Sequence, residues 1–207
     1  PGYDLLAAIT GSEGMLGVVT EVTLRLLPQP EGANLLLAAF DTIEAAADAV
    51  AQVIAAGIIP AGLEMMDNPA IRAAEDFAQA GYPCEAAAIL LCEVDGTVAE
   101  VEQQVEAVSA VLRERGANEV RVARDEAERL RFWSGRKNAF PAVGRISPDY
   151  YCIDGTIPRK QIGKVLKGVA SLSEQYGLRV ANVFHAGDGN LHPLILYDAG
   201  NPGEFER

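Results

Sequence analysis

Short apolar segments alternate with longer segments of helical periodicity along most of the chain, and this alternation constrains the fold more than any other feature. The predicted strands are LLLAAF (35–40), AGLEMMD (61–67), AAAILLCEVDG (86–96), EVRVAR (119–124), DYYCIDGTIP (149–158), RVANVFHAG (179–187) and NLHPLILYD (190–198). The predicted helices cover 43–57, 68–81, 97–116, 125–140 and 158–177. Asp41 or Thr42 is the expected cap of the first helix and Asn68 that of the second, and glycines are expected to end them.

The order of these elements predicts an α+β fold, in which ferredoxin-like repeats form an antiparallel sheet with helices packed on one face. A parallel, doubly wound sheet is the alternative. The last two strands are joined by a tight turn, which is too short for the crossover that a parallel pair requires.

A turn-rich connector, PQPEG (28–32), is the predicted domain boundary. The segment before it, GVVTEVTLRLLP (17–28), alternates and is rich in β-branched residues, so we predict a strand that Pro28 ends. Residues 1–30 are therefore predicted to belong to one domain and residues 31–207 to a second. Because the chain begins at Pro1 in mid-pattern and ends on GEFER, we expect a piece of a longer protein.

The charge and cysteine content limit the partners and the compartment that the chain is expected to have. A formal net charge of −12 argues against nucleic acid or an anionic membrane surface as the main partner. No apolar stretch is long enough to suggest a transmembrane segment. Cys84, Cys92 and Cys152 are widely spaced, which favours reduced thiols and a cytoplasmic location.

Three segments carry candidate chemistry, and each also has a plain structural explanation. ITGSEGMLGVVTEV (9–22) has closely spaced glycines that could approach a phosphate or a ring, but a turn before a strand explains them as well. RFWSGRKNAFPAVGRISPDYY (131–151) mixes arginines with aromatic residues, which suits either carboxylate capture or a solvated helix face.

HAGDGNLHP (185–193) holds both histidines of the chain in one short window. A hairpin turn there would bring His185 and His192 together, and two imidazoles suit a divalent metal such as Zn²⁺ or Mn²⁺. A type I′ turn flanked by histidines without a ligand is the alternative. A metal would also need a third ligand, for which the chain has no obvious candidate.

The same three segments, LAAITGSEGMLGVVTEVTLRLLP, RFWSGRKNAFPAVGRISPDYYCIDGTIPR and NVFHAGDGNLHPLILYD, resemble the FAD-linked 2-hydroxy-acid oxidases and dehydrogenases, which are vanillyl-alcohol-oxidase-type flavoproteins. The resemblance covers essentially the whole chain. It implies that residues 1–30 end an FAD-binding domain and that residues 31–207 are the substrate, or cap, domain. The implied activity is oxidation of a small D-2-hydroxy acid, glycolate or D-lactate, to the 2-oxo acid by hydride transfer to FAD.

The resemblance also implies roles for individual residues. His185 and His192 would bind a divalent metal, and Arg136 would bind the substrate carboxylate. Asp154 and Asn190 would lie near the substrate pocket. The residues that would line the flavin are Ser12, Gly14, Gly17 and Val18. Where relatives use a threonine and a lysine to hold a second carboxylate, this chain has Phe140 and Cys152, which favours a small monocarboxylic acid.

The implied site is incomplete within this chain. The resemblance places the third metal ligand and the catalytic base beyond Arg207, and the main phosphate-binding loop for FAD before Pro1. It also implies partner subunits of a glycolate oxidase complex, through which the protein could associate with a membrane. The alternative of a different class is a non-catalytic α+β ligand-binding or regulatory module with structural histidines.

The 207-residue chain by itself is predicted to bind no FAD, because one glycine segment cannot retain a dinucleotide. Its metal binding is predicted to be weak or absent for want of a third ligand. The absorption spectrum of the purified chain tests the first expectation, and a flavin band would contradict it.

Overall fold

The computed structural model describes residues 2–207, and Pro1 lies outside the described residues. Its strands are β1 (Gly32–Phe40), β2 (Gly62–Asp67), β3 (Ala88–Gly96), β4 (Ala117–Val122), β5 (Asp149–Cys152), β6 (Gly155–Thr156), β7 (Val180–His185) and β8 (Asn190–Tyr197). Its α-helices are α1 (Leu5–Ile9), α2 (Ile43–Ala55), α3 (Asn68–Ala78), α4 (Val98–Glu114), α5 (Glu126–Lys137), α6 (Ala139–Val143) and α7 (Ile162–Tyr176).

One antiparallel sheet runs through the described residues in the order β4-β1-β3-β2-β7-β8-β5, with β6 paired to β8. Strands β1 to β4 with α2 and α4 form a βαββαβ repeat with strand order 4-1-3-2, into which α3 is inserted. Strands β5, β7 and β8 with α7 repeat its first part in the order 5-8-7. The predicted α+β class, the ferredoxin-like repeats and the antiparallel sheet are confirmed, and the parallel alternative is wrong.

Helices α2, α4 and α7 pack on one face of the sheet, as predicted, over a core that includes Phe40, Leu90 and Phe184. The structure adds a second layer that the sequence analysis did not predict. Helices α3, α5 and α6 cover part of the other face, over a core that includes Leu37 and Leu91. The physical reason is that β1 and β3 are almost wholly apolar, so consecutive side chains need cover on both faces.

Cap residues define where the helices begin, and some differ from the prediction. Thr42 accepts from the backbone of Ala45 and caps α2, which resolves the predicted choice between Asp41 and Thr42. Asp67, and not Asn68, caps α3. Asn68 instead donates to the carbonyl oxygens of Cys84 and Ala86, at 2.8 and 2.7 Å. Asp67 therefore caps the helix while the side chain of Asn68 is engaged with these two carbonyl oxygens.

The strand predicted at 17–28 does not form, since residues 17–30 have no regular secondary structure in the described chain. Their apolar side chains, Val18 and Leu24 among them, are exposed. Alternation predicts an extended backbone but not a neighbour to pair with, and an unpaired segment is not a strand. The boundary near residue 30 stays a prediction. Within residues 2–207, no helix combines the length and apolar character needed to span a membrane.

A buried carboxylate joins the start of α3 to the middle of β7. Asp67 accepts from the backbone N–H of Ala70 at 3.2 Å and from the side-chain amide of Asn182 at 2.6 Å. Burial raises the pKa of Asp67 to about 6, and these hydrogen bonds only partly oppose that effect. The side-chain oxygen of Asn182 has no partner in the described residues.

Asp67→Asn should remove a component of the pH dependence of stability. The folded protein binds a proton at Asp67 more tightly than the unfolded chain does, so between about pH 4 and 6 this group lowers stability as the pH rises. The loss is at most about 3 kcal/mol. Urea unfolding of both proteins across this range measures it: the wild type should lose stability relative to Asp67→Asn as the pH rises. A difference that does not change with pH would contradict the prediction.

Candidate functional site

The β7–β8 hairpin places both histidines on one face of the sheet. His185 pairs with Asn190, and His192 pairs with Val183, so the two imidazoles are diagonal neighbours across the two strands. Their ring centroids lie 5.3 Å apart and their planes are nearly perpendicular. The predicted proximity of the two histidines is therefore present in the structure.

The turn between the histidines depends on Gly189, which has a φ of +74°. A β-carbon at this position would overlap the carbonyl oxygen of Ile157. The backbone N–H of Ile157 also donates to the Gly189 carbonyl at 2.9 Å, so the turn packs closely against the segment that follows β6. A residue without a side chain is required for this close approach.

Glu64 is the central residue of the site, and the sequence analysis did not identify it. It lies on β2 between buried apolar residues, and only 9% of its surface is exposed. One carboxylate oxygen is 2.9 Å from Nδ1 of His185, and the other accepts from Arg136. The signal that could have found it is a charged residue inside the strand segment AGLEMMD, since buried carboxylates in proteins are paired.

Arg136 reaches the site from α5 and is 8% exposed. Its Nε donates to Glu64 at 2.9 Å, and its Nη2 lies 2.8 Å from the same oxygen. Nε and Nη2 are the nitrogens of Arg136 that contact Glu64, and Nη1 forms no hydrogen bond within residues 2–207. The structure thus brings Arg136 into the site, paired with a carboxylate of the protein itself, while its role toward a substrate stays a prediction.

His192 lies deeper in the site than His185, with 13% of its side chain exposed. The Phe140 ring packs against it edge to face, with centroids 6.2 Å apart. Burial lowers the pKa of His192 below the ordinary value of 6.5, and Asp154, whose Oδ1 is 3.8 Å from Nδ1, only partly offsets this. The imidazole is therefore neutral at pH 7, the form that can donate a lone pair.

The other predicted site residues fall into two groups. Asp154 and Asn190 lie beside the histidines, and the buried side-chain oxygen of Asn190 has no hydrogen-bond partner in the described chain. The predicted flavin-lining residues lie in the N-terminal segment, where the turn at Gly14 has a φ of +80°. The backbone hydrogen bonds of that segment are all local. These four residues, whose roles stay predictions, are Ser12, Gly14, Gly17 and Val18.

The donor set fits a divalent metal in part. Because Nδ1 of His185 faces Glu64, the open nitrogen of this ring is Nε2, and the neutral His192 supplies a second imidazole. Among residues 2–207, no three histidine, cysteine or acidic side chains are grouped to hold a metal. The described residues therefore offer two ligands and not a complete set.

Residues 29–207 match the family model described as "FAD linked oxidases, C-terminal domain". The chain belongs to this family. The resemblance stated from the sequence is thereby confirmed. Glycolate oxidase subunit GlcD of Escherichia coli K12 is 68% identical over 207 residues, and the chain covers 42% of its length. The Bacillus subtilis protein of the same name is 40% identical, with 44% of its length covered. A D-lactate dehydrogenase of Anaerostipes hadrus is 32% identical, with 45% covered.

Solved structures support the fold assignment of this FAD-linked oxidase domain. An alkyldihydroxyacetonephosphate synthase superposes with a TM-score of 0.66 at 16% identity, over 94% of this chain and 42% of that one. A p-cresol methylhydroxylase with substrate bound gives 0.63 at 15% identity, over 87% and 42%. The chain thus spans less than half of the length of the relatives that it matches.

Gly189→Ala should destabilise the domain by about 2 kcal/mol or more, because an L side chain at this φ is strained and would overlap the Ile157 carbonyl. Gly168→Ala is the matched control. Gly168 lies inside α7 with open space around it, so alanine there should be neutral or stabilise by up to about 1 kcal/mol. Urea unfolding measures the stability of both variants. Equal effects of the two substitutions would refute the close approach of Gly189 to the Ile157 carbonyl.

Proposed function

We propose that this chain is the substrate-side domain of an FAD-dependent oxidoreductase that oxidises a small D-2-hydroxy acid, glycolate or D-lactate, to the 2-oxo acid. The observation that carries the proposal is the convergence of Arg136 with the two histidines on one face of the sheet. The names of its relatives, glycolate oxidase subunit GlcD and D-lactate dehydrogenase, support the substrate class.

Arg136 is proposed to bind the carboxylate of the hydroxy acid. Its Nη1 is the donor nitrogen that residues 2–207 leave unpaired, and a guanidinium–carboxylate contact is a strong, directional one. When the carboxylate is bound, the α-carbon hydrogen is held in one direction. Less rotational entropy is then lost on reaching the transition state. FAD, when bound, supplies the hydride acceptor that protein side chains lack.

His185 and His192 are the residues that would hold a divalent metal such as Zn²⁺ or Mn²⁺. Such a metal, when bound, lowers the pKa of a coordinated hydroxyl. Asn190 offers a buried oxygen with no partner among the described residues, and Asp154 lies beside His192, so both are proposed to help position the substrate hydroxyl. The proposed flavin-lining residues remain Ser12, Gly14, Gly17 and Val18.

Phe140 limits the size of the proposed substrate. Its ring packs against both His192 and Tyr150, so this side of the site is apolar. A second carboxylate would meet the Phe140 ring there, which favours a monocarboxylic acid.

The proposal extends to assembly and location. Relatives bear the name of a subunit, so we propose partner subunits for the intact protein. We also propose a cytoplasmic location, with membrane association through those subunits as the alternative.

Turnover by the intact gene product tests the proposed function. Glycolate and D-lactate should be oxidised with an artificial dye acceptor at least about tenfold more efficiently than D-2-hydroxyglutarate. Activity that is greatest with 2-hydroxyglutarate would contradict the assigned substrate size. An intact protein that turns over none of these acids would instead favour the non-catalytic module.

Replacing both His185 and His192 by Ala should abolish this turnover in the intact protein, because the substrate hydroxyl loses the groups that would prepare it for deprotonation. The folded state should persist, since 46% of the His185 side chain is exposed and the His192 ring forms no hydrogen bond among residues 2–207. Rates are measured beside circular-dichroism melting curves. Wild-type rates in the folded double variant would exclude the histidines from the reaction.

A further inference from the structure

Glu64 joins three separate elements of the fold through one carboxylate. The residue lies on β2, and its partners are His185 at the end of β7 and Arg136 near the end of α5. These partners are 121 and 72 residues away in sequence. All three polar contacts are 2.8 to 2.9 Å long, and Glu64 and Arg136 are largely withdrawn from water.

We propose that Glu64 is a positioning residue, which selects the tautomer of His185 and orients the guanidinium of Arg136. The inference rests on the proposed function, because it gives Glu64 a role at the same site. One carboxylate would thereby orient His185 toward the substrate hydroxyl and Arg136 toward the substrate carboxylate.

The tautomer of His185 follows from what Glu64 can accept. A carboxylate paired with a guanidinium offers only acceptor oxygens, so Nδ1 of His185 must carry the hydrogen that bridges the 2.9 Å contact. The nitrogen of His185 that remains for a metal is then Nε2. A ligand imidazole held in this way by a carboxylate is oriented and made more basic.

The orientation of Arg136 follows from its two contacts. Nε and Nη2 both meet Oε2 of Glu64, and two contacts along one edge define the plane of a guanidinium. Nη1 is left for a ligand. Because Arg136 is buried, its guanidinium would have neither a charge partner nor a defined direction without Glu64.

Glu93 provides a matched control within the same fold. It lies on β3 and accepts from Nη1 of Arg129 at 2.6 Å and from Nε1 of Trp133 at 2.5 Å. It therefore also ties the sheet to α5 through an arginine. Within residues 2–207 its side chain bonds to Arg129 and Trp133 and not to the site residues, so its loss should affect packing and not the site.

Glu64→Gln separates positioning from packing because glutamine has nearly the same size and both a donor and an acceptor. If its NH₂ group faces His185, Nδ1 becomes the acceptor and the hydrogen moves to Nε2. If the NH₂ group faces Arg136, its hydrogens face the N–H groups of the guanidinium, and the guanidinium turns away. Either arrangement disturbs one of the two proposed alignments.

The experiment compares the wild-type intact gene product with Glu64→Gln and Glu93→Gln. Zn²⁺ affinity is measured by competition with a chelating indicator, and kcat and KM are measured with glycolate. Glu64→Gln should either bind Zn²⁺ about 10-fold to 100-fold more weakly or raise KM about tenfold, according to which partner its NH₂ group faces, while Glu93→Gln should stay within about twofold of wild type in both. If Glu64→Gln does not fold, the pair Glu64→Asp and Glu93→Asp replaces it, with the same contrast expected.

The proposal is overturned if both the Zn²⁺ affinity and the KM of the Glu64 variant stay within about twofold of its Glu93 counterpart. It is also overturned if the wild type binds Zn²⁺ no more tightly than His185→Ala does. A wild type without hydroxy-acid turnover would refute the proposed function, and the Zn²⁺ comparison would still decide on the tautomer of His185.

Discussion

The contact of Glu64 with Arg136 is the interaction on which the site depends. A buried arginine without a carboxylate partner would cost several kcal/mol, and a buried carboxylate without a cation would be equally unfavourable. Each residue therefore requires the other, and their pairing determines where α5 can lie against β2. Since Glu64 also bonds to His185, the same carboxylate links α5 to the β7–β8 hairpin, which the pairing of β2 with β7 holds against the rest of the sheet.

The antiparallel sheet explains why the site lies where it does. Strand β2 is the edge strand of the first repeat and pairs with β7 of the second. This pairing brings Glu64 beside His185. Helices α5 and α6 cover this face and contribute Arg136 and Phe140. The polar residues of the site thus collect where the two repeats meet, with apolar cores on both faces of the sheet.

The sequence could predict the parts of the site whose partners are close along the chain. His185 and His192 are seven residues apart in one hairpin, so local turn chemistry was enough to bring them together. Glu64 was missed because its partners come from distant segments, and no local pattern connects them. The strand predicted at 17–28 was wrong for a related reason, because an alternating pattern does not identify the strand that would pair with it. The second helical layer could have been foreseen from the unbroken apolar runs of β1 and β3.

The central claim is that Arg136 and the two histidines face opposite ends of one hydroxy acid. A crystal structure of the intact gene product with the 2-oxo acid product, glyoxylate or pyruvate, tests it most directly. The account predicts the product carboxylate within about 3 Å of Nη1 of Arg136, with the 2-oxo oxygen on the side of His185 and His192. A product bound with its carboxylate away from Arg136, while Glu64 still holds the guanidinium, would contradict the account.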